Sequence, residues 1–274
     1  MLVKYLKEGV IIKLYKRLLV NAFKQKIVFR INYCVDIVFS FLYIFLQVMI
    51  WKGLYKGYED WNGISLNEMI SYTILSSLTQ MFVKSSLMKD MNQKMQDGSI
   101  ALQLLLPTEF RKYQLMIRLS DNLLLSVYKT LPPVVVALIF FGLRFEFTFL
   151  RFISYIITLL FAFYLNFAYS FILGLSVVLF KNAFFLENVD ELIFKVLSGA
   201  IVPFWFFPMW LNQLSYILPF RYMIYEPIAI LLGKTDLQNI IRVIGMQIVW
   251  IILLQVVMNL VWNRSRKHIM IQGG

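Results

Sequence analysis

The residue in the most chemically loaded setting is Asp36, a carboxylate at the edge of the uncharged run 37–51 and about two helical turns after Arg30. A carboxylate at membrane depth marks an ion path, a proton relay or a paired charge. An interfacial carboxylate that pairs with Arg30 or with a cation of a neighbouring helix fits the same residues, and the sequence leaves both readings open. Glu187, Asp190 and Glu191 form a second acidic cluster, suited to ion pairing with the many basic residues. For catalysis there is little material. His268 is the only histidine and Cys34 the only cysteine, so no intramolecular disulfide forms and no histidine pair exists for a metal or proton shuttle. Gly233-Lys234-Thr235 has the end of a phosphate-binding loop, yet Ile228 stands where its first glycine is needed. Asn263-Arg264-Ser265 matches a glycosylation acceptor but is expected on the cytoplasmic side.

Three segments carry patterns suited to binding and movement. In 1–26, Val10, Ile11, Leu14, Tyr15, Leu18, Leu19 and Ala22 share one helical face opposite Lys13, Lys16, Arg17 and Lys24, as in a helix lying in the headgroup layer. In 85–112, Met88, Met91 and Met95 recur at helical spacing among Asp90 and Gln93, and Asp97-Gly98 ends the helix. Flexible, polarizable methionines suit a docking face, although a loop helix packed on its own bundle gives the same pattern. In 196–222, an uncharged stretch as far as Phe220 is broken by Pro203, Pro208 and Pro219. Non-helical backbone at membrane depth is tolerated only under protein cover or beside a water-filled cavity. Ser198, Gly199, Pro203, Phe204, Phe206, Phe207, Pro208, Trp210 and Pro219 are therefore expected to form an outer gate of short re-entrant helices. An interfacial loop held by Trp205, Trp210 and Tyr216 is the plainer alternative.

The elements that must position these segments are membrane helices. The chain of 274 residues is 60% hydrophobic and 15% charged; a soluble domain carries roughly 45–50% apolar and about 25% charged residues. The net charge of +12 does not indicate nucleic acid, because the cations flank apolar runs. The expected fold is an all-α, six-helix transmembrane bundle with spans near 27–53, 66–84, 118–142, 149–180, 185–203 and 240–262. The run 152–180 reads as one long span, for it contains no turn signal. Residues 1–30, 84–129, 181–195 and the tail after Asn263 together hold twenty Lys and Arg, against seven in the other connections. The richer side is the cytoplasm, and both termini are expected there. Eight basic residues in the first thirty, without a long apolar core, argue against a cleaved signal peptide.

The order and spacing of the motifs resemble the permease subunits of type-2 ATP-binding-cassette exporters, in the branch related to daunorubicin-resistance permeases. The matching features are the basic amphipathic N-terminus, Asp97-Gly98 with Leu106-Pro107, and Phe180 with Phe184-Phe185. Further along come Ser198-Gly199 with Pro203, Pro208-Met209-Trp210-Leu211, Leu218-Pro219-Phe220 and the closing Gln272-Gly273-Gly274. The resemblance implies two permease chains, alike or different, and a cytoplasmic ATPase dimer that holds ATP and Mg, with no cofactor on this chain. It assigns Met88, Asp90, Met91, Gln93, Met95, Asp97 and Gly98 to a coupling helix that docks on the ATPase. The expected function is outward transport of an amphipathic or lipid-like substrate across the plasma membrane, with lipid as the surrounding partner. Rival classes are a membrane-embedded lipid-modifying enzyme, which would need convergent acid–base or metal groups, and a non-transporting sensor or scaffold.

Overall fold

The computed structural model describes residues 30–58, 60–61, 63–85, 87–100, 103, 109–142, 147–180 and 183–272. The amphipathic segment 1–26, Leu104–Pro107 and the final Gly273-Gly274 lie outside the described residues, as does the side chain of Met95.

The fold is mostly helical. Helix α1 (Arg30–Leu54) leads through a two-residue antiparallel hairpin, β1 (Asp60–Trp61) and β2 (Ile64–Ser65), into α2 (Leu66–Val83). A capping box starts α2: the Ser65 hydroxyl accepts from the Glu68 amide at 3.3 Å, and the Glu68 carboxylate accepts from the Ser65 amide at 2.9 Å. The short helix α3 (Leu87–Gln96) follows, then α4 (Phe110–Leu125). A π-helical turn, Ser126–Thr130, joins α4 to α5 (Leu131–Phe141). Its cause is local: Pro132 and Pro133 have no N–H to give to carbonyls one turn back, and the ladder widens around the gap.

Helix α6 (Phe149–Phe180) runs unbroken through 32 residues, without the turn that two spans would need. Helix α7 (Ala183–Leu197) stops at Ser198-Gly199, and the chain proceeds through a 3-10 turn at Phe204–Phe206, α8 (Met209–Ser215) and a second turn at Phe220–Tyr222. It closes with α9 (Tyr225–Leu231) and the long α10 (Leu237–Gln272).

Among the described residues four helical segments are long and apolar enough to cross a membrane: Cys34–Leu54, Phe110–Phe141, Phe149–Ser176 and Leu237–Ser265. They display large apolar side chains such as Ile139, Phe140, Ile241 and Leu260 on the outside, the arrangement expected where lipid replaces water as solvent. Helix α2 is shorter and more polar for a reason visible in its surroundings. Ser71, Thr73, Ser76 and Thr79 are all buried, and their hydroxyls bond to backbone or, at 3.0 Å, to the Tyr155 hydroxyl. The main core lies where α10 packs along α6, with Phe110 stacked on Trp262 at 5.2 Å and Gln247 donating to the carbonyls of Thr158 and Tyr222.

Candidate transport machinery

Helix α3 is amphipathic, and its apolar side faces inward. Met88 and Met91 are 5% and 1% exposed, and Met88 packs against Leu173 of α6 and Leu186 of α7. The seat is cut to fit by Gly174, where an added Cβ would stand 2.8 Å from the Met91 sulfur. Asp90 is drawn to the side, its carboxylate 2.5 Å from the guanidinium of Arg118 on α4. What faces outward is polar: Lys89, Gln93, Gln96 and Asp97 are exposed. Gly98 takes a φ of 72° that favours glycine, and the helix ends there. The Ser99 backbone N–H donates to the Asp97 carboxylate at 2.9 Å, and hydrogen bonds from Ser99 hold that carboxyl below the usual carboxylate range. Burial, helped by nearby Arg118, holds the Lys94 ammonium below its ordinary value. Of the residues assigned to coupling, Met88, Asp90 and Met91 thus bind this chain's own bundle, and Gln93, Asp97 and Gly98 remain on the surface.

The proline-broken segment folds back on α2 and α6. Ser198 is fully buried, and its carbonyl accepts from the Tyr225 N–H at 3.2 Å. The carbonyls of Gly199 and Ala200, left free where α7 ends, accept from the hydroxyls of Tyr72 and Ser76, each at 2.7 Å. These contacts fall near the middle of α2. Gly199 has a φ of +74°, and a Cβ there would meet the Tyr225 Cβ at 3.1 Å, so both conformation and space require glycine. Pro203 and Pro219 are buried, and Pro208 is exposed at the start of α8. Phe204 is 1% exposed, with its ring edge-on to Tyr225 at 5.1 Å and to Phe207 at 4.7 Å. Phe206 stacks on Trp51 of α1 at 5.5 Å, and Trp210 is 67% exposed.

The charged pair that ties the end of this segment to α9 has no counterpart in the sequence-based site. Arg221 donates through Nε to Glu226 at 2.6 Å, and through Nη1 to Asn212 at 2.6 Å and Ser215 at 2.7 Å. Its guanidinium also lies over Tyr216 at 3.7 Å, Tyr225 at 4.8 Å and Phe204 at 4.9 Å. One side chain therefore joins α8, both 3-10 turns and α9. A cavity of about 350 Å³ opens beside it, lined also by Lys234, Asp236 and Arg242. The signal available in sequence was two opposite charges five residues apart in an otherwise apolar stretch.

Asp36 pairs with Lys129 of the π-helical turn at 3.1 Å. A groove of about 520 Å³ lies beside this pair, bounded by α1, α2, the π-helical turn and α7.

Residues 41–273 match the family described as ABC-2 family transporter protein. The chain belongs to that family. No curated protein and no solved structure matches it. It is therefore a membrane-integral permease subunit of an ABC transporter, of the kind that works with a cytoplasmic ABC ATPase. The match extends from within α1 to the end of α10 and so takes in α3, the proline-broken segment and the Arg221–Glu226 pair.

Proposed function

We propose that the permease is one of two such chains in an exporter of the daunorubicin-resistance-like branch, moving an amphipathic or lipid-like substrate outward with ATP and Mg held by a cytoplasmic ATPase dimer. The observation that carries this reading is the seating of α3. Its apolar side is locked onto α6 at Met88, Met91 and Gly174, and its polar side is left open at Lys89, Gln93 and Asp97. A partner that pushes on the polar side moves α6. Phe220 meets Tyr169 of α6 edge-on at 5.1 Å, so the same helix bears on the proline-broken segment. Displacement of Phe204, Phe206 and Phe207 then opens an outer exit.

Helices α2 and α7 complete six spans. Glu68 and Lys84 at the two ends of α2 are sixteen residues apart, about 24 Å along a helix axis. Asp36 and Lys52 on α1 have the same separation. Two charged layers at that spacing suit a hydrocarbon core of about 30 Å with polar side chains reaching its edges. The layer holding Lys84 and Lys129 faces the cytoplasm, in keeping with the basic residues on that side, and both termini lie there.

The test is co-expression with an ABC ATPase encoded beside this chain, followed by purification in mild detergent and reconstitution. ATP-dependent outward movement of an amphipathic dye, stimulated by the permease, supports the reading. An ATPase that fails to co-purify, or a complex that hydrolyses ATP and moves no amphiphile, ends it.

A further inference from the structure

The elbow Lys84-Ser85, where α2 gives way to α3, lies outside both helices, and two buried asparagines satisfy the backbone around it. Asn122 of α4 and Asn166 of α6 are 4% and 2% exposed. Asn122 donates through Nδ2 to the carbonyls of Phe82 at 2.8 Å and Lys84 at 3.1 Å. The Ser85 N–H donates to Oδ1 of Asn166 at 2.9 Å. The Ser85 hydroxyl in turn accepts from the Leu87 N–H at 3.2 Å, a local turn that leads into α3. A displacement of α3 therefore acts on the bond between Ser85 and Asn166.

Asn166 also reaches the proline-broken segment. Its Nδ2 lies 3.9 Å from the sulfur of Met223, a weak acceptor. Met223 is fully buried between the second 3-10 turn and α9, two residues after Arg221. One turn along α6, Tyr169 meets Phe220 of that same 3-10 turn. Ser170 and Gly174 follow Asn166 at helical spacing on one face of α6. The Ser170 hydroxyl donates to Asn166 Oδ1 at 3.5 Å, and Gly174 seats Met91. Gly174 is eight residues beyond Asn166, about 12 Å along the helix axis. This face of α6 thus touches α3, the elbow that leads into it and the end of the turn that carries Arg221.

We infer that Asn166 is a positioning residue that couples α3 to the proline-broken segment, its Oδ1 following Ser85 and its Nδ2 bearing on Met223. The two atoms belong to one planar carboxamide, so a turn that keeps Oδ1 with the elbow moves Nδ2 against Met223. Asn122 is the internal contrast. Both of its bonds stay at the elbow, so it holds the backbone there and passes nothing to the outer segment. The inference rests on the permease reading, which supplies the force on α3. Coupling of this kind is a difference in contact energy between two states, and its loss typically changes the coupled property by about 5- to 150-fold.

The experiment reconstitutes the permease with the ABC ATPase encoded beside it and measures ATP hydrolysis and ATP-driven movement of an amphipathic dye in the same vesicles. The readout is dye moved per ATP hydrolysed, which a loss of folded protein alone does not change. Asn166→Leu is expected to leave ATPase assembly and hydrolysis in place and to lower that ratio about tenfold. Met223→Leu conserves volume, so it should keep thermal stability and lower the ratio severalfold. It decides the matter if Asn166→Leu fails to fold. Asn122→Leu orphans backbone groups of the same elbow and should cost stability, yet keep the wild-type ratio. A wild-type ratio in either Asn166→Leu or Met223→Leu overturns the inference. So does a loss of ratio in Asn122→Leu as large as that in Asn166→Leu, since order at the elbow would then explain both. Those results, with wild-type transport intact, sink the role of Asn166 alone. A wild-type complex that hydrolyses ATP and moves no dye sinks the permease reading and this inference with it.

Discussion

Arg221 and Glu226 form a buried ion pair at 2.6 Å, each side chain less than a tenth exposed, where the segment whose three prolines forbid a continuous helix meets α9. A helix holds itself together through its own backbone; a broken segment needs another source of order. Here it is one guanidinium, which bonds to Glu226, Asn212 and Ser215 and lies on three aromatic rings.

Removing one member of this pair is expected to be far worse than removing both. Arg221→Met or Glu226→Gln each leaves a buried polar group without its partner, a loss of about 3–5 kcal/mol for a buried pair broken on one side. The double change Arg221→Met with Glu226→Leu leaves no charge behind and should recover much of that loss. Thermal unfolding of the detergent-purified permease, followed by tryptophan fluorescence, checks the ordering of the three midpoints. A double variant no more stable than the worse single variant would show that the pair does not act as a unit.

For α3 the expected outcomes separate by face. Met91 is 1% exposed against Gly174, so Met91→Asp buries a charge in the permease's own core and should unfold or destabilise the chain. The coupling role proposed for α3 is accordingly tested on its exposed positions. Lys89→Glu with Gln93→Glu alters exposed positions only, and should lose ATPase co-purification while thermal stability changes by less than about 0.5 kcal/mol. Normal ATPase association in that double variant would remove the coupling role of this face.

How much could be read beforehand depended on where each residue's partner lies. The apolar runs of α1, α6 and α10 identify themselves, because lipid imposes its demand on every residue of a span. Met88, Met91 and Met95 mark an amphipathic helix equally well, but periodicity gives a face and not its direction, and Gly174, eighty-three residues beyond Met91, decides that Met91 points inward. The Asp36–Lys129 pair joins residues ninety-three apart through a distortion that Pro132-Pro133 imposes. Charge counting treated Arg221 as a topology marker, although a cation in so apolar a stretch requires a partner, and Glu226 is the nearest carboxylate in sequence.

Orientation has a direct check. In a chain with Cys34→Ser, a single cysteine at the exposed Tyr58 is expected to react with a membrane-impermeant maleimide in intact cells, and one at the exposed Gln93 only after the membrane is opened. The reverse pattern would invert the permease and place α3 beyond the reach of a cytoplasmic ATPase.

The gate itself is tested through Gly199 and the aromatic cluster it admits. With a φ of +74° and Tyr225 and Phe204 at 3.1 and 3.2 Å from an added Cβ, Gly199→Ala carries both a left-handed backbone cost of about 1–2 kcal/mol and a forced shift of Phe204. The bundle below should still assemble with the ATPase, since the atoms nearest an added Cβ belong to Tyr225 and Phe204 and not to α3, while transport should fall by an order of magnitude or so if Phe204 must swing on a fixed hinge. The companion measurement is reagent accessibility of single cysteines across 203–218, with and without trapped ATP. At rest, positions 209 and 210 should react and 204 and 215 should not, following the exposure of Met209 and Trp210 and the burial of Phe204 and Ser215. Trapped nucleotide should open position 204 if the segment is a gate. A pattern that ATP leaves unchanged would make it a rigid outer cap, and the transport defect of Gly199→Ala would then report packing rather than gating.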